Sequence, residues 1–170
     1  VAISRLAGGC FRLWVSIADV SHYVKEGSRL DQEAFQRGTS VYFPERALPM
    51  LPPRLSTGIC SLNPEEDRLT LTSAMDFDRQ GRMTQADFFP SVIHSQARLT
   101  YTMVREMLLN GNREFISRYP VIFEDLQAMA DLGRLIRAQR MDRGSLDFDL
   151  PEPQVVLDVQ GQIEEIVRAE

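Results

Sequence analysis

Residues 67–94 read DRLTLTSAMDFDRQGRMTQADFFPSVIH, and this stretch determines the fold class. Apolar and polar side chains alternate over residues 67–78, so that Leu69, Leu71 and Met75 fall on one face of an extended chain. Arg79-Gln80-Gly81 supplies a turn, and residues 82–94 return as a second extended segment. The stretch therefore predicts a long antiparallel hairpin.

Hairpin signals recur at both ends of the chain, and helical signals lie between them. Residues 1–6 and 10–17 flank a glycine turn, and residues 154–158 and 162–167 flank another. Ser28 is a candidate N-cap for a helix, and apolar spacing indicates helices near three segments, which are 29–37, 100–110 and 120–142. The pattern predicts an α+β fold with a mixed, mainly antiparallel sheet, hairpins at both ends and two to three helices.

The composition is that of an ordinary globular protein. The chain has 170 residues, 44% of them hydrophobic and 25% charged, with a formal net charge of −5. A general nucleic-acid binder is usually basic, so any nucleic-acid contact here must be local or supplied by other domains. No run of about 18 apolar residues occurs, so we predict no membrane span and a cytoplasmic protein. Cys10 and Cys60 lack the spacing of a zinc site and are expected to be buried thiols.

Two polar segments suggest sites, and each also has a simpler explanation. Asp19 and His22 follow an apolar strand, where polar residues serve either a function or the capping of the next turn. Asp76 and Asp78 open a pattern similar to half of a calcium loop. Strands rather than helices flank that pattern, so a polar hairpin turn explains it better.

Two aromatic residues stand among charged neighbours. Tyr42 lies in a long proline-rich connection between Arg37 and Arg46, where a ring could stack on a nucleobase while arginines meet phosphates. The alternative is a core-facing tyrosine with solvated arginines. Phe148 lies between two aspartates in GSLDFDLPEP, which leaves open a metal site, an acid pair or a site built around the aromatic ring.

Three stretches together resemble the catalytic (RNB) domain of the RNase II/RNase R exoribonucleases. They are VSIADVSHYVKEGSRLDQEAFQRGTSVYFPERALPMLPPRLSTGICSLNPEEDRLTL at 15–71, SVIHSQARLTY at 91–101 and GSLDFDLPEPQVVLDVQGQ at 144–162. RGTSVYFP and GSLDFDLPE are closer in style to RNase R. The resemblance covers essentially the whole chain and implies that residues 1–170 are the central part of such a domain, incomplete at both ends.

The resemblance implies a processive, hydrolytic 3′-to-5′ exoribonuclease that acts on single-stranded RNA, releases nucleoside 5′-monophosphates and needs Mg²⁺ or Mn²⁺. By motif position, Tyr42 and Phe148 are the aromatic clamp for the RNA 3′ end. Asp19 and His22 are expected near the active centre without an assigned role, and Arg37 and Arg98 are expected to contact RNA.

The motifs that hold the metal and stabilise the transition state in this family have no counterpart in the chain. We therefore expect no metal ligand here and no activity from the 170 residues alone. The resemblance also implies a monomeric parent protein with flanking cold-shock and S1 domains. The alternative parent is a non-catalytic RNA-binding or scaffolding relative with the same fold.

Overall fold

The computed structural model describes residues 1–44, 46–146, 148, 150, 153–158, 160 and 162–168. Within these residues, eight strands and five α-helices follow one another, and two further helical segments lie at Ala7–Gly9 and, within the proline-rich connection, at Arg54–Ile59. They are β1 (Ala2–Arg5), β2 (Phe11–Ala18), α1 (Val20–Tyr23), α2 (Arg29–Arg37), β3 (Val41–Tyr42), β4 (Ala47–Leu48), β5 (Asp67–Phe77), β6 (Met83–His94), α3 (Tyr101–Leu108), α4 (Arg113–Arg118), α5 (Pro120–Asp142), β7 (Pro153–Leu157) and β8 (Ile163–Arg168).

The centre of the fold is a four-stranded antiparallel sheet in the order β1-β2-β5-β6. The predicted hairpin forms its longer half, with Leu71 paired to Pro90 and Met75 paired to Ala86. Asp78 closes the turn, because its carboxylate accepts hydrogen bonds from the backbone N–H groups of Gln80 and Arg82 at 2.9 and 3.0 Å. The polar-turn interpretation of the calcium-like pattern is therefore confirmed.

Helix α5 covers one end of one face of this sheet. Ile3, Phe11 and Phe77 from the strands are buried against Ala128 and Leu132 from the helix. The turn between β5 and β6 packs against the same helix: a methyl group on Gly81 would lie 2.6 Å from Cβ of Leu135. The core thus forms where the apolar side of α5 packs on β1, on the start of β2 and on the turn between β5 and β6.

The opposite face of the sheet carries polar side chains that bond to one another. Arg12 on β2 makes a two-pronged ion pair with Asp76 on β5, with both N–O distances at 2.6 Å. The hydroxyls of Thr70 and Thr72 are buried and each bonds to Ser91, at 2.7 and 2.5 Å. Burial of these polar groups is tolerated because each has a hydrogen-bonding partner.

The predicted helices are present, and two short ones are additional. Ser28 caps α2, since its hydroxyl accepts from the N–H of Asp31 at 3.2 Å. Helices α1 and α4 have four and six residues, which is too short for an apolar period to reveal them. Within the described ranges, no helix combines the length and the apolar character that crossing a bilayer would require.

Two small hairpins, β3–β4 and β7–β8, do not pair with the central sheet. The second confirms the predicted C-terminal hairpin, with Val155 paired to Ile166. The first carries Tyr42. Both cysteines are free and partly buried.

Candidate nucleic-acid interface

Tyr42 lies on an exposed two-stranded ribbon formed by β3 and β4. Tyr42 pairs with Ala47 and Val41 pairs with Leu48 along the ribbon. The side chain of Tyr42 is 80% exposed, so the core-facing alternative for this residue is wrong. A strand of two residues has no alternating pattern from which its solvent-facing side could be predicted.

Arg37 attaches the base of the ribbon to helix α2, and Ser40 joins the two sides of that base. Arg37 pairs with Glu33 at 2.8 Å and donates to the carbonyl oxygen of Pro49 at 3.4 Å. The hydroxyl of Ser40 accepts from the N–H of Met50 at 2.9 Å. Arg37 therefore has a structural role, and the RNA contact expected of it stays a prediction.

The tip of the ribbon brings a second aromatic ring beside a cation. The N–H of Phe43 donates to the carbonyl oxygen of Arg46 at 2.8 Å, and the Arg46 guanidinium lies 5.6 Å from the centre of the Phe43 ring. Such cation–π contacts add up to about 1 kcal/mol at exposed sites. The ribbon thus presents an exposed Tyr42 ring near Arg46, together with the ring of Phe43, and stacking on a nucleobase stays a prediction.

Phe148 follows the end of α5 and is 70% exposed. Gly144 adopts a φ of 87° and its N–H donates to the carbonyl oxygen of Met141 at 2.9 Å, which ends the helix. Leu146 and Leu150 on either side are also exposed. Asp147 and Asp149 lie outside the described residues, and so does any acid pair that they form.

The clamp hypothesis requires Tyr42 and Phe148 to hold bases between them. Their rings do not contact each other or any other ring in the described part of the chain. Both rings are accessible to a ligand, and their joint action stays a prediction.

Asp19 and His22 lie at the end of β2, where Asp19 caps helix α1. Its carboxylate accepts from the hydroxyl of Ser21 at 2.5 Å and from the N–H of His22 at 3.1 Å. The bond from Ser21 and the weaker one from His22 lower the pKa of Asp19, against the opposing effect of desolvation. The capping interpretation is confirmed, and the His22 side chain is exposed beside Tyr23.

Arg98 lies in the segment between β6 and α3 and is exposed. It forms no ion pair with another described residue, so its charge is available to a ligand. Three residues later, Tyr101 is 98% exposed at the first position of α3. The sequence patterns did not assign a role to Tyr101, although its place after an N-cap and near Arg98 could have indicated one.

The described carboxylates do not form a metal centre. Across the ranges that the structure describes, no three histidine, cysteine, aspartate or glutamate side chains converge on one point. Asp76 pairs with Arg12, Asp78 with Arg82, and Asp131 with Arg5 and Arg134. These residues do not fit the metal that the resemblance implies, and we assign no metal-dependent step to them.

Comparison with known proteins identifies the family. A family model described as "RNB domain" matches residues 1–170. Ribonuclease R of Aquifex aeolicus is 44% identical over 162 residues, which are 95% of this chain and 23% of that protein. RNase R of Mycoplasma genitalium in complex with ribose methylated single-stranded RNA has 34% identity and a TM-score of 0.89, over 99% of this chain and 26% of that chain.

A more distant structure shares the fold alone. Yeast Ssd1, described as a pseudonuclease, has 22% identity and a TM-score of 0.68, over 82% of this chain and 16% of that chain. This chain thus spans about a quarter of the length of the ribonuclease R relatives given above. The match over all 170 residues and the identity to ribonuclease R show that the chain belongs to the RNB domain family.

Proposed function

We propose that this chain is the central part of the catalytic domain of a processive, hydrolytic 3′-to-5′ exoribonuclease. The parent protein, by which we mean the longer protein that contains this chain, degrades single-stranded RNA to nucleoside 5′-monophosphates. The observation that carries the proposal is the exposure of Tyr42 and Phe148, at 80% and 70%, in a chain of the RNB family. Neither ring stabilises the core, so both are available to stack on bases.

In this proposal the chain supplies binding and positioning rather than the hydrolytic step. Tyr42 and Phe148 stack on the 3′-terminal bases, and each stacked base contributes about 1–3 kcal/mol. Arg98, and Arg37 at the ribbon base, meet phosphates. Asp19 and His22 lie near the active centre, where Asp19 fixes the first turn of α1.

The metal belongs to another part of the parent protein. The resemblance implies Mg²⁺ or Mn²⁺. We propose that the metal ligands lie outside the 170 residues, because Asp76, Asp78 and Asp131 already form ion pairs with arginines. We also propose a monomeric, cytoplasmic parent in which cold-shock and S1 domains supply most of the electrostatic attraction for RNA. That division of labour accounts for a net charge of −5 in this chain.

A metal-dependent nuclease assay tests the division between this chain and the parent. The purified chain and the parent protein are each incubated with poly(A) and Mg²⁺ or Mn²⁺. We expect mononucleotides from the parent and no hydrolysis by the 170 residues. Clear hydrolysis by the purified chain would refute the assignment of the catalytic groups to other segments.

Replacing the clamp residues tests the role of this chain directly. Tyr42→Ala in the parent protein is expected to weaken RNA binding by about 1–3 kcal/mol, or roughly 5- to 150-fold, because one base loses its stacking partner. The final RNA product should become longer, and this change should exceed the decrease in the rate of early cleavage. Phe148→Ala should have the same effects as Tyr42→Ala. Binding is measured by fluorescence anisotropy and product length on a sequencing gel.

The matched control is Phe88→Ala, which removes an equally exposed ring from β6. It should change neither affinity nor product length. An equal loss from Phe88→Ala, or an unchanged product length in Tyr42→Ala, would argue against Tyr42 as a stacking residue.

The rival function is a non-catalytic RNA-binding or scaffolding protein. The fold shared with Ssd1, which is described as a pseudonuclease, is the reason to keep this rival under test. A parent protein that binds poly(A) through Tyr42 but releases no mononucleotides with either metal would support the rival.

A further inference from the structure

The face of the central sheet that packs on α5 is apolar beyond the area that the helix covers. Phe11 of β2 and Phe77 of β5 are buried beneath α5. Ile17 and Leu71 lie further along the same two strands and on the same face, and the register pairs them with each other. Leu71 is in turn paired with Pro90 of β6. Apolar side chains therefore continue from the α5 interface toward the other end of the sheet.

Two side chains of the outer strand β6 complete this area. Phe88 and Val92 project on the same face as Leu71, because each lies two residues from Pro90, the partner of Leu71. The area formed by Ile17, Leu71, Phe88, Pro90 and Val92 is called the distal surface below. It crosses the three strands β2, β5 and β6 without interruption.

The distal surface is exposed where the face of a sheet is normally covered. Phe88 is 79% exposed, Val92 62% and Ile17 61%. Leu71 is 42% exposed although β5 is an inner strand with a neighbour on either side, so its exposure comes from the open face of the sheet. Single exposed apolar residues are common in proteins, whereas a contiguous apolar area marks a contact surface.

The charges around the distal surface favour a protein partner over RNA. Its five residues are uncharged, and so are the neighbouring strand residues Val15, Leu69 and Ser73 on the same face. At the far end of the hairpin, Asp67 Oδ1 and His94 Nδ1 are 2.8 Å apart and supply a polar rim. RNA binding needs cations that meet phosphates, but an apolar centre with a polar rim is typical of contacts between protein surfaces.

The dimensions of the distal surface suit one helix. From Phe88 to Val92 the backbone of β6 advances about 14 Å, and the three strands together are about 10 Å wide between their axes. An α-helix with its side chains is about 10–12 Å in diameter. Because α5 already covers the other part of this face, a second helix beside it would continue the same layer.

The parent protein is a closer source of such a helix than a second copy of this chain. The chain makes up 23% of ribonuclease R of Aquifex aeolicus, so a parent of comparable length has about three quarters of its residues elsewhere. Pro90 lies within the outer strand β6 and has no N–H group to donate. It therefore works against the edge-to-edge pairing of strands by which two copies of a sheet commonly associate.

We propose that the distal surface is covered, in the parent protein, by an amphipathic α-helix from a segment outside these 170 residues. The apolar side of that helix lies on Leu71, Phe88 and Val92, next to α5 in the same layer. This inference shares only the longer parent protein with the proposed function, and it does not depend on nuclease activity.

The first test measures whether the distal surface is covered in the parent protein. Val92→Cys and Val121→Cys are made separately, and Val121 is the matched control because it is an equally exposed valine, 69%, on α5. Each thiol is labelled with N-ethylmaleimide in the native parent and in concentrated urea, and peptide mass spectrometry gives its rate apart from Cys10 and Cys60. The thiol of Val92→Cys should react at least about 100-fold more slowly in the native protein, because labelling must wait for local opening. That of Val121→Cys should differ by less than about tenfold.

The second test identifies what covers the surface. Phe88 is replaced by photoreactive p-benzoylphenylalanine, and the cross-linked peptides of the parent protein are sequenced. We expect a peptide from the same polypeptide, outside residues 1–170 and with apolar residues at helical spacing. The same analogue in place of Phe35, an exposed ring on α2, should not capture that peptide.

The outcomes separate this inference from the proposed function. Similar native and urea rates for the thiol of Val92→Cys would overturn the covered surface and leave the nuclease assignment intact. Protection that disappears on dilution, with cross-links between two copies, would replace the helix by a second copy and overturn the proposal. A protected thiol in a parent that releases no mononucleotides would support the covered surface and count against the nuclease. Phe88→Ala, the control for RNA binding, should lower the melting temperature of the parent without changing its RNA affinity.

Discussion

Two groups of aromatic side chains in this molecule have opposite surroundings. Phe11 and Phe77 are 4% and 7% exposed beneath α5, whereas Tyr42 and Phe148 are 80% and 70% exposed on segments outside the central sheet. Burying a large apolar side chain contributes about 1.5–3 kcal/mol, and the second group forgoes that contribution. The difference indicates that the first group maintains the fold and the second is available for binding.

The largest effect should come from removing a ring of the first group. Phe11→Ala is expected to lower the free energy of unfolding by about 3–5 kcal/mol, because the cavity beneath α5 cannot fully collapse. Phe148→Ala should change it by less than about 0.5 kcal/mol, since the side chain is mostly exposed and lies outside the core. Urea denaturation of both variants measures the difference. Similar losses would contradict the separation into a structural and a binding group.

Two glycines allow a similar comparison between a position packed against α5 and a position with no close neighbour. Gly81 and Gly8 both have a positive φ, of 77° and 71°. A methyl group on Gly81 would overlap Leu135, with 2.6 Å between the two Cβ atoms, whereas one on Gly8 would meet nothing within 4 Å. Both Ala variants should lose about 1 kcal/mol to the left-handed backbone conformation.

Gly81→Ala should lose about 1–3 kcal/mol more, because the hairpin turn must move away from α5. Thermal unfolding of the two variants gives the excess directly. Equal melting temperatures of the two variants would mean that the turn at Gly81 can move away from Leu135 of α5 without loss of stability.

The sequence predicted the parts of this fold that have long regular patterns. The alternation over residues 67–78 was enough to predict β5, and Ser28 with its following apolar spacing located α2 at its observed start. The Arg12–Asp76 pair joins positions 64 residues apart, and the register of β2 with β5 also joins distant positions, which no local pattern encodes. The two-residue strand β3 is too short to show that Tyr42 faces solvent.

The candidate site was predicted through motifs rather than through periodicity. Tyr42 and Phe148 were predicted as clamp residues from their position in family motifs. The structure shows in addition that both side chains are exposed. Tyr101 was not identified, because an exposed aromatic residue looks the same in sequence whether it binds a ligand or contacts only solvent.

The smallest expected effect concerns acid stability and the polar face of the sheet. The hydrogen bonds from Arg12 lower the pKa of Asp76, outweighing desolvation. A carboxylate whose pKa is lower in the folded state contributes stability above its unfolded pKa of about 3.8, and this contribution is lost as the pH falls through the folded value. The pairing of β2 with β5 should therefore weaken below about pH 4.

Asp76→Asn removes this titration, so proton uptake on unfolding between about pH 4 and pH 2 should fall by up to about one proton. The slope of unfolding free energy against pH, from urea denaturation at several pH values, measures that uptake. Asp19, Asp78 and Asp131 also have lowered pKa values, so the slope should become shallower without vanishing. Asp142→Asn, at the exposed end of α5, is the control. If it reduced the slope as much as Asp76→Asn, the acid sensitivity would reflect the overall charge of the chain rather than the bond that joins the two strands.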